Sequence, residues 1–305
     1  MTGIDALGVP KLDAIFLMAF HDKDLMNAID TIESIRYHVK DNFHILCIND
    51  CDARLGESSE LLQKYCDCLT NFRPRKDSTW PKNTYGSLFC KKYEGLEYAV
   101  KTFSFDYLVH LDADALVTGP DLLRHVRMYF AQGEPHLGLF GSYTTRSDGK
   151  KRTRWQWAAY LLYQVYITHE ISAKSLLRTT WLPAARKNGY RLGEHVLGGA
   201  FILSRTCLAA MIKLYPYRQI IADRAYTIRL GDDVIFSLLT FACGFAIGDF
   251  ARPGDPLAVA QDFLPIPKDE VLKRRKQLIH SLKRGLHGET EDELRTYFRS
   301  LRTNC

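Results

Sequence analysis

Along the first hundred positions the apolar residues follow two alternating rhythms. Residues 14–20 (AIFLMAF) form an unbroken apolar run between polar neighbours, which predicts a buried strand. Over 24–39 the apolar positions fall at Leu25, Ala28, Ile29, Ile32, Ile35 and Val39, the spacing of one helix face. Residues 43–48 predict a second strand that ends in Asn49-Asp50, and 58–65 a short helix. Residues 85–100 predict a longer helix through Leu88, Phe89, Leu96 and Val100, and 107–111 a third strand that runs into Asp112-Ala113-Asp114. Strands alternating with helices predict an α/β fold with a mostly parallel sheet. The carboxyl ends of such strands share one edge, where ligands bind.

The second half is less regular. Strands are predicted at 137–143, at 195–203 (HVLGGAFIL, interrupted by a double glycine) and at 245–250. Residues 147–154 (SDGKKRTR) predict a polar, basic loop, with an aromatic helix behind it at 155–167 and an apolar helix at 232–243. A final helix begins at Thr290, which has capping-box spacing with Glu293. Neither a repeat nor a linker rich in Pro, Gly or Ser divides the chain, so one domain spanning 1–305 is expected.

The 305 residues are 46% apolar and 25% charged, which excludes a disordered or low-complexity protein. No apolar run approaches the ~20 residues of a membrane span, and the N-terminus does not read as a secretory signal. A soluble, cytoplasmic protein is expected. The net charge of +6 is too diffuse to announce a nucleic-acid partner. Cysteines at 47, 51, 66, 68, 90, 207, 243 and 305 make no CxxC pair, so reduced and mostly buried thiols are expected rather than a zinc site.

The sharpest chemical signal is Asp112-Ala113-Asp114. Two carboxylates one residue apart, where a strand enters a turn, can converge on a divalent cation that also takes diphosphate oxygens. A turn in which one Asp caps a backbone N–H is the competing reading. Gly198 and Gly199 interrupt an apolar stretch, as close approach of a ligand to the backbone or a β-bulge would require. Asp232 and Asp233 precede Val234-Ile235-Phe236 and so open a helix; either they cap it or one of them is a general base. Lys91 and Lys92 lie in the helix before the Asp112 strand, within reach of a phosphate or simply exposed. Trp155 and Trp157 follow the Lys150-Lys151-Arg152 loop, as a sugar-stacking wall or as core aromatics. His280 faces solvent if 269–285 is one amphipathic helix; an extended 277–283 leaves a metal-ligand role open.

The stretch 107–120 (YLVHLDADALVTGP) resembles the DXD segment of GT-A-fold glycosyltransferases. Gly198-Gly199-Ala200-Phe201 is similar to their glycine loop near the donor sugar, Gly231-Asp232-Asp233 to their xED motif, and His280 to their C-terminal metal-ligand histidine. The four segments occur in the order that fold shows and cover most of the chain. The resemblance implies a GT-A-like architecture: a Rossmann-like nucleotide-binding half at about 11–120 joined to an acceptor and catalytic half at about 121–305. It implies a hexosyltransferase-type enzyme using Mn²⁺ or Mg²⁺ and a nucleotide-sugar donor, a UDP-sugar foremost. Asp112, Asp114 and His280 would hold the metal. Ala19, Phe20, His21, Asp50, Lys91, Asp112 and Ala113 would contact the nucleotide, and Gly198 and Gly199 the donor sugar. Asp233, with Asp232 beside it, would be the base of an inverting displacement; a retaining course stays open. The acceptor would be a glycan, a lipid-linked sugar or a small molecule.

Two rivals belong to other classes. A nucleotidyltransferase shares the α/β plan, but the loop after the first strand (Phe20-His21-Asp22-Lys23-Asp24) lacks glycine. A non-catalytic nucleotide-sugar-binding protein would keep the fold without turnover. The basic stretch 273–284, with Lys273, Arg274, Arg275, Lys276, Lys283 and Arg284, reads either as a solvated helix face or as a weak peripheral dock for an anionic membrane. The oligomeric state is open.

Overall fold

The structure, a computed structural model, describes residues 11–49, 61–71, 85–132, 136–167 and 174–303. The elements follow in the order β1 (Lys11–Phe20), α1 (Leu25–His38), β2 (Phe43–Asn49), β3 (Cys68–Asn71), α2 (Tyr85–Thr102), β4 (Ser104–Asp112), β5 (Leu116–Val117), α3 (Leu122–Gln132) and β6 (Leu137–Gly141). Then come α4 (Trp155–Tyr166), a π-helical turn (Leu176–Trp181), α5 (Leu182–Lys187), β7 (Ala200–Ser204), α6 (Arg205–Leu214), α7 (Tyr217–Ala222) and α8 (Asp232–Ala242). The chain closes with β8 (Ala246–Asp249), β9 (Leu257–Val259), α9 (Lys268–Lys273), β10 (Leu278–His280) and α10 (Glu291–Thr303).

Seven strands form the central sheet in the order β3-β2-β1-β4-β7-β6-β8. The β3-β2-β1-β4 half is parallel, as the strand and helix alternation predicts; β7 runs antiparallel between β4 and β6, and β8 is parallel to β6. The α/β class with a mostly parallel central sheet is therefore observed. Strands β1 and β4 carry apolar residues on both faces because helices cover both. One layer, with α2, α4, α6 and α8, packs around Phe89, Trp181, Phe201 and Phe236. The other, with α1 and α3, packs around Phe16, Ile32, Val126 and Phe140.

A small sheet, β5-β10-β9, stands beside the large one and is backed by Leu294 and Phe298 of α10. The capping box that starts α10 is formed in both directions. The Glu293 N–H donates to Thr290 Oγ1 at 3.3 Å, and the Thr290 N–H donates to Glu293 Oε2 at 2.8 Å.

Several expectations change. The strand expected over 195–203 starts only at Ala200, and Gly198 and Gly199 belong to the loop before it; Gly199 has φ +87°, outside any strand. A single helix over 269–285 is ruled out: α9 stops at Lys273, and β10 is extended. The six cations of 273–284 consequently do not share one face. Lys276 is buried and donates to the carbonyls of Arg252 and Pro253, both at 3.0 Å. Lys273 and Arg274 pair with Glu270, and Lys283 turns toward Asp114. The basic patch that a membrane dock requires is thereby divided. Of the helix expected at 58–65, residues 61–63 are helical and those before 61 lie outside the described residues. Cys47, Cys66, Cys90 and Cys207 are buried, and no disulfide joins the described cysteines. Among the described residues no helix is long and apolar enough to cross a membrane.

Candidate active site

Strand pairing builds the site. In the parallel β1-β4 register Ala19 lies opposite Asp112, so the end of the first strand and the start of the Asp112-Ala113-Asp114 turn share an edge. The N–H of Asp112 donates to the carbonyl of Gly199 at 2.8 Å, which ties the double glycine to the same turn. Strand β10 pairs antiparallel with β5, Ile279 opposite Leu116, and this carries His280 back across the chain to Asp114.

Ligand atoms of Asp112, Asp114 and His280 all lie within 4.8 Å of one another. His280 Nε2 stands 3.0 Å from Asp114 Oδ1, and Nδ1 lies 2.8 Å from the carbonyl of Ala260. A carbonyl can only accept, so Nδ1 carries a proton and Nε2 is the nitrogen turned toward the carboxylates. An imidazole anchored in this way, with its other nitrogen on a backbone carbonyl, suits a metal ligand. Two carboxylates with one imidazole suit a divalent cation such as Mn²⁺, and Mg²⁺ less well because of the nitrogen. Ser281 Oγ donates to the second oxygen of Asp114 at 2.8 Å.

The electrostatics are set by burial against opposite charge. Burial alone would raise Asp112, but the charge of Lys92 beside it holds it far below the usual carboxylate range. Asp114 is also lowered, its burial outweighed by the hydrogen bond and charge of His280. Burial opposes protonation of His280, yet Asp114 and then Asp112 raise it. His110 is buried, stacked on Phe201 at 4.4 Å between ring centroids, and kept neutral first by burial and then by the nearby Lys92 charge.

Lys92 is the second organising residue. Its buried ammonium lies 3.1 Å from Asp112 Oδ1 and 2.7 Å from Asp232 Oδ2, joining the turn to the start of α8. Asp233 follows, 9% exposed; one oxygen accepts the N–H of Gly198 at 2.9 Å and the other its neighbour Val234 at 2.8 Å. Burial raises both Asp232 and Asp233; it outweighs the Lys92 charge at the first, and the Gly198 and Val234 N–H groups with the Arg152 charge at the second. Gly198 and Gly199 thread between Asp233 and His280. A Cβ at Gly198 would meet the Asp233 side chain at 3.4 Å, and one at Gly199 would clash with the His280 ring.

A cavity of about 260 Å³ opens on this constellation. Its wall includes Ala19, Phe20 and His21 from the end of β1, then Asp112, Ala113 and Asp114 with Lys92 and Lys283. Asp232, Asp233, Gly198 and Gly199 are not in that wall; they connect through Lys92 and the Gly199 carbonyl. Lys91 is also outside it, partly buried and pushed down to about 8 by that burial. Asp50 lies outside the described residues. Trp155 is 69% exposed, whereas Trp157 packs edge-on against His195 at 5.3 Å.

Sequence reasoning did not single out Ser281, Lys283 as a neighbour of Asp114, Glu291 in the cavity wall, or the side chains behind the turn. Lys92 and Lys91 are adjacent and equally plausible in the sequence. Only the helix phase of α2, with Phe89, Tyr93 and Leu96 buried beside Lys92, could have favoured the former.

No family model and no curated protein matches the chain. Among solved structures it is similar to core-mannan synthase A from Aspergillus fumigatus in an Mn/GDP form. The match covers 78% of this chain and 72% of that one, at 12% identity and a TM-score of 0.41. It is similar to S. aureus TarS over 79% of this chain and 35% of that one, at 9% identity and a TM-score of 0.43. The bifunctional glycosyltransferase WbbM is matched over 96% of this chain and 50% of that one, at 10% identity and a TM-score of 0.47. The chain thus spans about a third of TarS and half of WbbM. Likenesses this remote establish neither a ligand nor an activity for this chain.

Proposed function

We propose that the protein is a divalent-cation-dependent glycosyltransferase that moves a sugar from a nucleoside diphosphate donor to an acceptor hydroxyl. The observation that carries this reading is the convergence of Asp112, Asp114 and His280, with the two carboxylates lining a cavity together with Ala19, Phe20 and His21. In this reading residues 11–120 supply the nucleotide side of a single domain and 121–305 the acceptor side. The donor is a UDP-sugar and the cation Mn²⁺ or Mg²⁺. The acceptor is a glycan, a lipid-linked sugar or a small hydroxyl compound.

When bound to these three ligands, the cation would neutralise the charge that develops on the departing diphosphate. The protein's own groups do the rest. Lys92 and Lys283 bring positive charge to the cavity wall, the first fixed between carboxylates and the second 62% exposed. Gly198 and Gly199, whose missing side chains leave room for Asp233 and His280, would let those two groups stand beside the donor sugar. Asp233 removes the proton from the acceptor hydroxyl in an inverting displacement. Its burial favours this role, since a carboxylate raised toward neutrality is a stronger base than one in water. The backbone N–H groups on its two oxygens hold it in place and still leave lone pairs.

The test is hydrolysis of a panel of nucleotide sugars with and without Mn²⁺. Cation-dependent release of nucleoside diphosphate from one donor is expected. Failure of every donor both to bind and to be hydrolysed contradicts the reading.

A further inference from the structure

The Asp112-Ala113-Asp114 turn is held from behind as well as lined from in front. Three of its backbone groups have partners in separate parts of the chain. The Asp112 N–H donates to Gly199, the Asp114 carbonyl accepts from the Leu282 N–H at 3.0 Å, and the Ala113 carbonyl points away from the cavity into the body of the protein. There it meets two side chains. Thr31 Oγ1 of α1 lies 2.9 Å from it, and Arg295 Nη2 of α10 donates to it at 2.7 Å.

These two donors are not equivalent. Thr31 has one hydroxyl proton, and three carbonyls compete for it: Asn27 at 2.9 Å, Ala113 at 2.9 Å and Ala115 at 2.7 Å. The guanidinium, by contrast, divides its donors. Nη1 goes to Asp30 Oδ2 at 2.8 Å and to the Asn27 carbonyl at 3.4 Å, Nε and Nη2 both reach Glu291 Oε1 at 2.9 Å, and Nη2 also donates to Ala113. Arg295 is 3% exposed and its charge is balanced by Asp30, itself 2% exposed. A planar fork fixed by two carboxylates has little freedom, so the direction of the Nη2 N–H aimed at Ala113 is fixed as well.

We propose that Arg295 is a positioning residue for the metal centre: α10, docked on α1 through Asp30, sets the orientation of the Ala113–Asp114 peptide and with it the direction of the Asp114 carboxylate. The role rests on the metal-centre reading of Asp112, Asp114 and His280. The carbonyl of Ala113 and the N of Asp114 belong to one rigid peptide plane. Turning that plane rotates the bond from which the Asp114 side chain leaves, and the carboxylate swings relative to Asp112 and His280. Arg299 and Arg302 also pair with Asp30 but make no contact with the turn, so docking of α10 and orientation of the turn can be separated by mutation.

The experiment is Mn²⁺ binding to the full chain, followed by the electron paramagnetic resonance signal of free Mn²⁺, with thermal unfolding measured in parallel. Arg295→Lys keeps the positive charge beside Asp30 but loses the fork. It is expected to weaken Mn²⁺ binding about 10-fold, as loss of a group that orients a ligand does. Arg302→Gln loosens the docking of α10 and should lower the unfolding midpoint with Mn²⁺ affinity unchanged. Should Arg295→Lys fail to fold, Glu291→Gln, which removes the carboxylate charge holding the guanidinium and leaves Arg295 in place, should weaken binding in the same sense. Unchanged affinity in whichever of these two variants folds, with Mn²⁺ bound normally by the unaltered protein, overturns the role of Arg295 alone. Equal weakening by Arg302→Gln also overturns it, by reducing Arg295 to a structural tie. No Mn²⁺ binding by the unaltered protein overturns the metal centre and this role together.

Discussion

The imidazole of His280 occupies the space that a side chain at Gly199 would need. Gly199 also sits at φ +87°, a conformation L-residues avoid, while its carbonyl receives the N–H of Asp112. One glycine therefore serves three requirements at once: a left-handed backbone, room for a ligand-type histidine and an anchor for the carboxylate turn.

Gly199→Ala should accordingly damage the metal centre rather than the fold at large. The methyl strains the backbone and displaces the His280 ring, an expected cost of about 1–3 kcal/mol in stability. Mn²⁺ affinity should fall at least tenfold. Chemical denaturation and Mn²⁺ titration of the same preparation check this; normal Mn²⁺ affinity in the variant would contradict it.

Asp233→Asn addresses the base. Turnover should fall by about 10²–10⁴ with donor affinity nearly preserved, since the amide cannot take a proton but still accepts one backbone N–H. Steady-state kinetics and donor titration separate the two effects. A loss seen wholly in donor binding, with turnover intact at saturation, would make Asp233 a brace for Gly198 and the α8 terminus.

Lys92 ties the Asp112 turn to Asp232 of α8 through a single buried ammonium. Lys92→Met leaves the buried Asp232 without its counter-charge, and the half-exposed Asp112 with solvent in its place, and should destabilise the protein by about 3 kcal/mol. Adding Asp232→Asn should restore part of that loss, because one unpaired charge is removed. A double-mutant cycle in urea measures the coupling, and strictly additive losses would mean that the pair is not coupled.

Much of this architecture is legible in the sequence because its causes are local. The strands at β1, β2 and β4 are apolar on both faces, the helical spacing of α1 is regular, and the Thr290 and Glu293 box marks the start of α10. The Asp112-Ala113-Asp114 turn is visible for the same reason, at the end of a buried strand. What the sequence does not expose is non-local. His280 reaches Asp114 only through the β5-β10 pairing, between segments more than 150 residues apart. The stretch 269–285 has an amphipathic helical pattern, yet β10 is recruited into the small sheet, where tertiary pairing overrides the local period. The 195–199 segment is apolar enough to mimic a strand, but its glycines serve the turn beside them. Arg295 looks like an ordinary i,i+4 partner of Glu291, and nothing in the spacing points to Ala113.

A pH dependence of stability follows from His195. Its Nδ1 lies 2.9 Å from the Gly193 carbonyl and its Nε2 lies 2.8 Å from Arg152. Burial first, and then the Arg152 charge, push it down to about 3 from an ordinary 6.5. The unfolded chain takes up a proton below about pH 6.5 that the folded protein refuses until about pH 3. Stability should therefore fall as pH drops from 6.5 toward 3, by up to about 1.4 kcal/mol per pH unit for this proton, with no contribution above 6.5. Denaturation midpoints across this range, compared between the unaltered protein and His195→Gln, isolate the effect. An identical pH slope in both would remove His195 from the account.

Calorimetric titration of UDP into the unaltered protein and into Asp114→Ala, each with Mn²⁺ and with chelator, tests whether Asp114 holds a cation through which a nucleoside diphosphate binds. Mn²⁺ should tighten UDP binding at least tenfold in the unaltered protein. In Asp114→Ala, with the far-ultraviolet spectrum and unfolding transition retained, Mn²⁺ should have no effect on UDP binding. The same UDP affinity under all four conditions would contradict that role of Asp114.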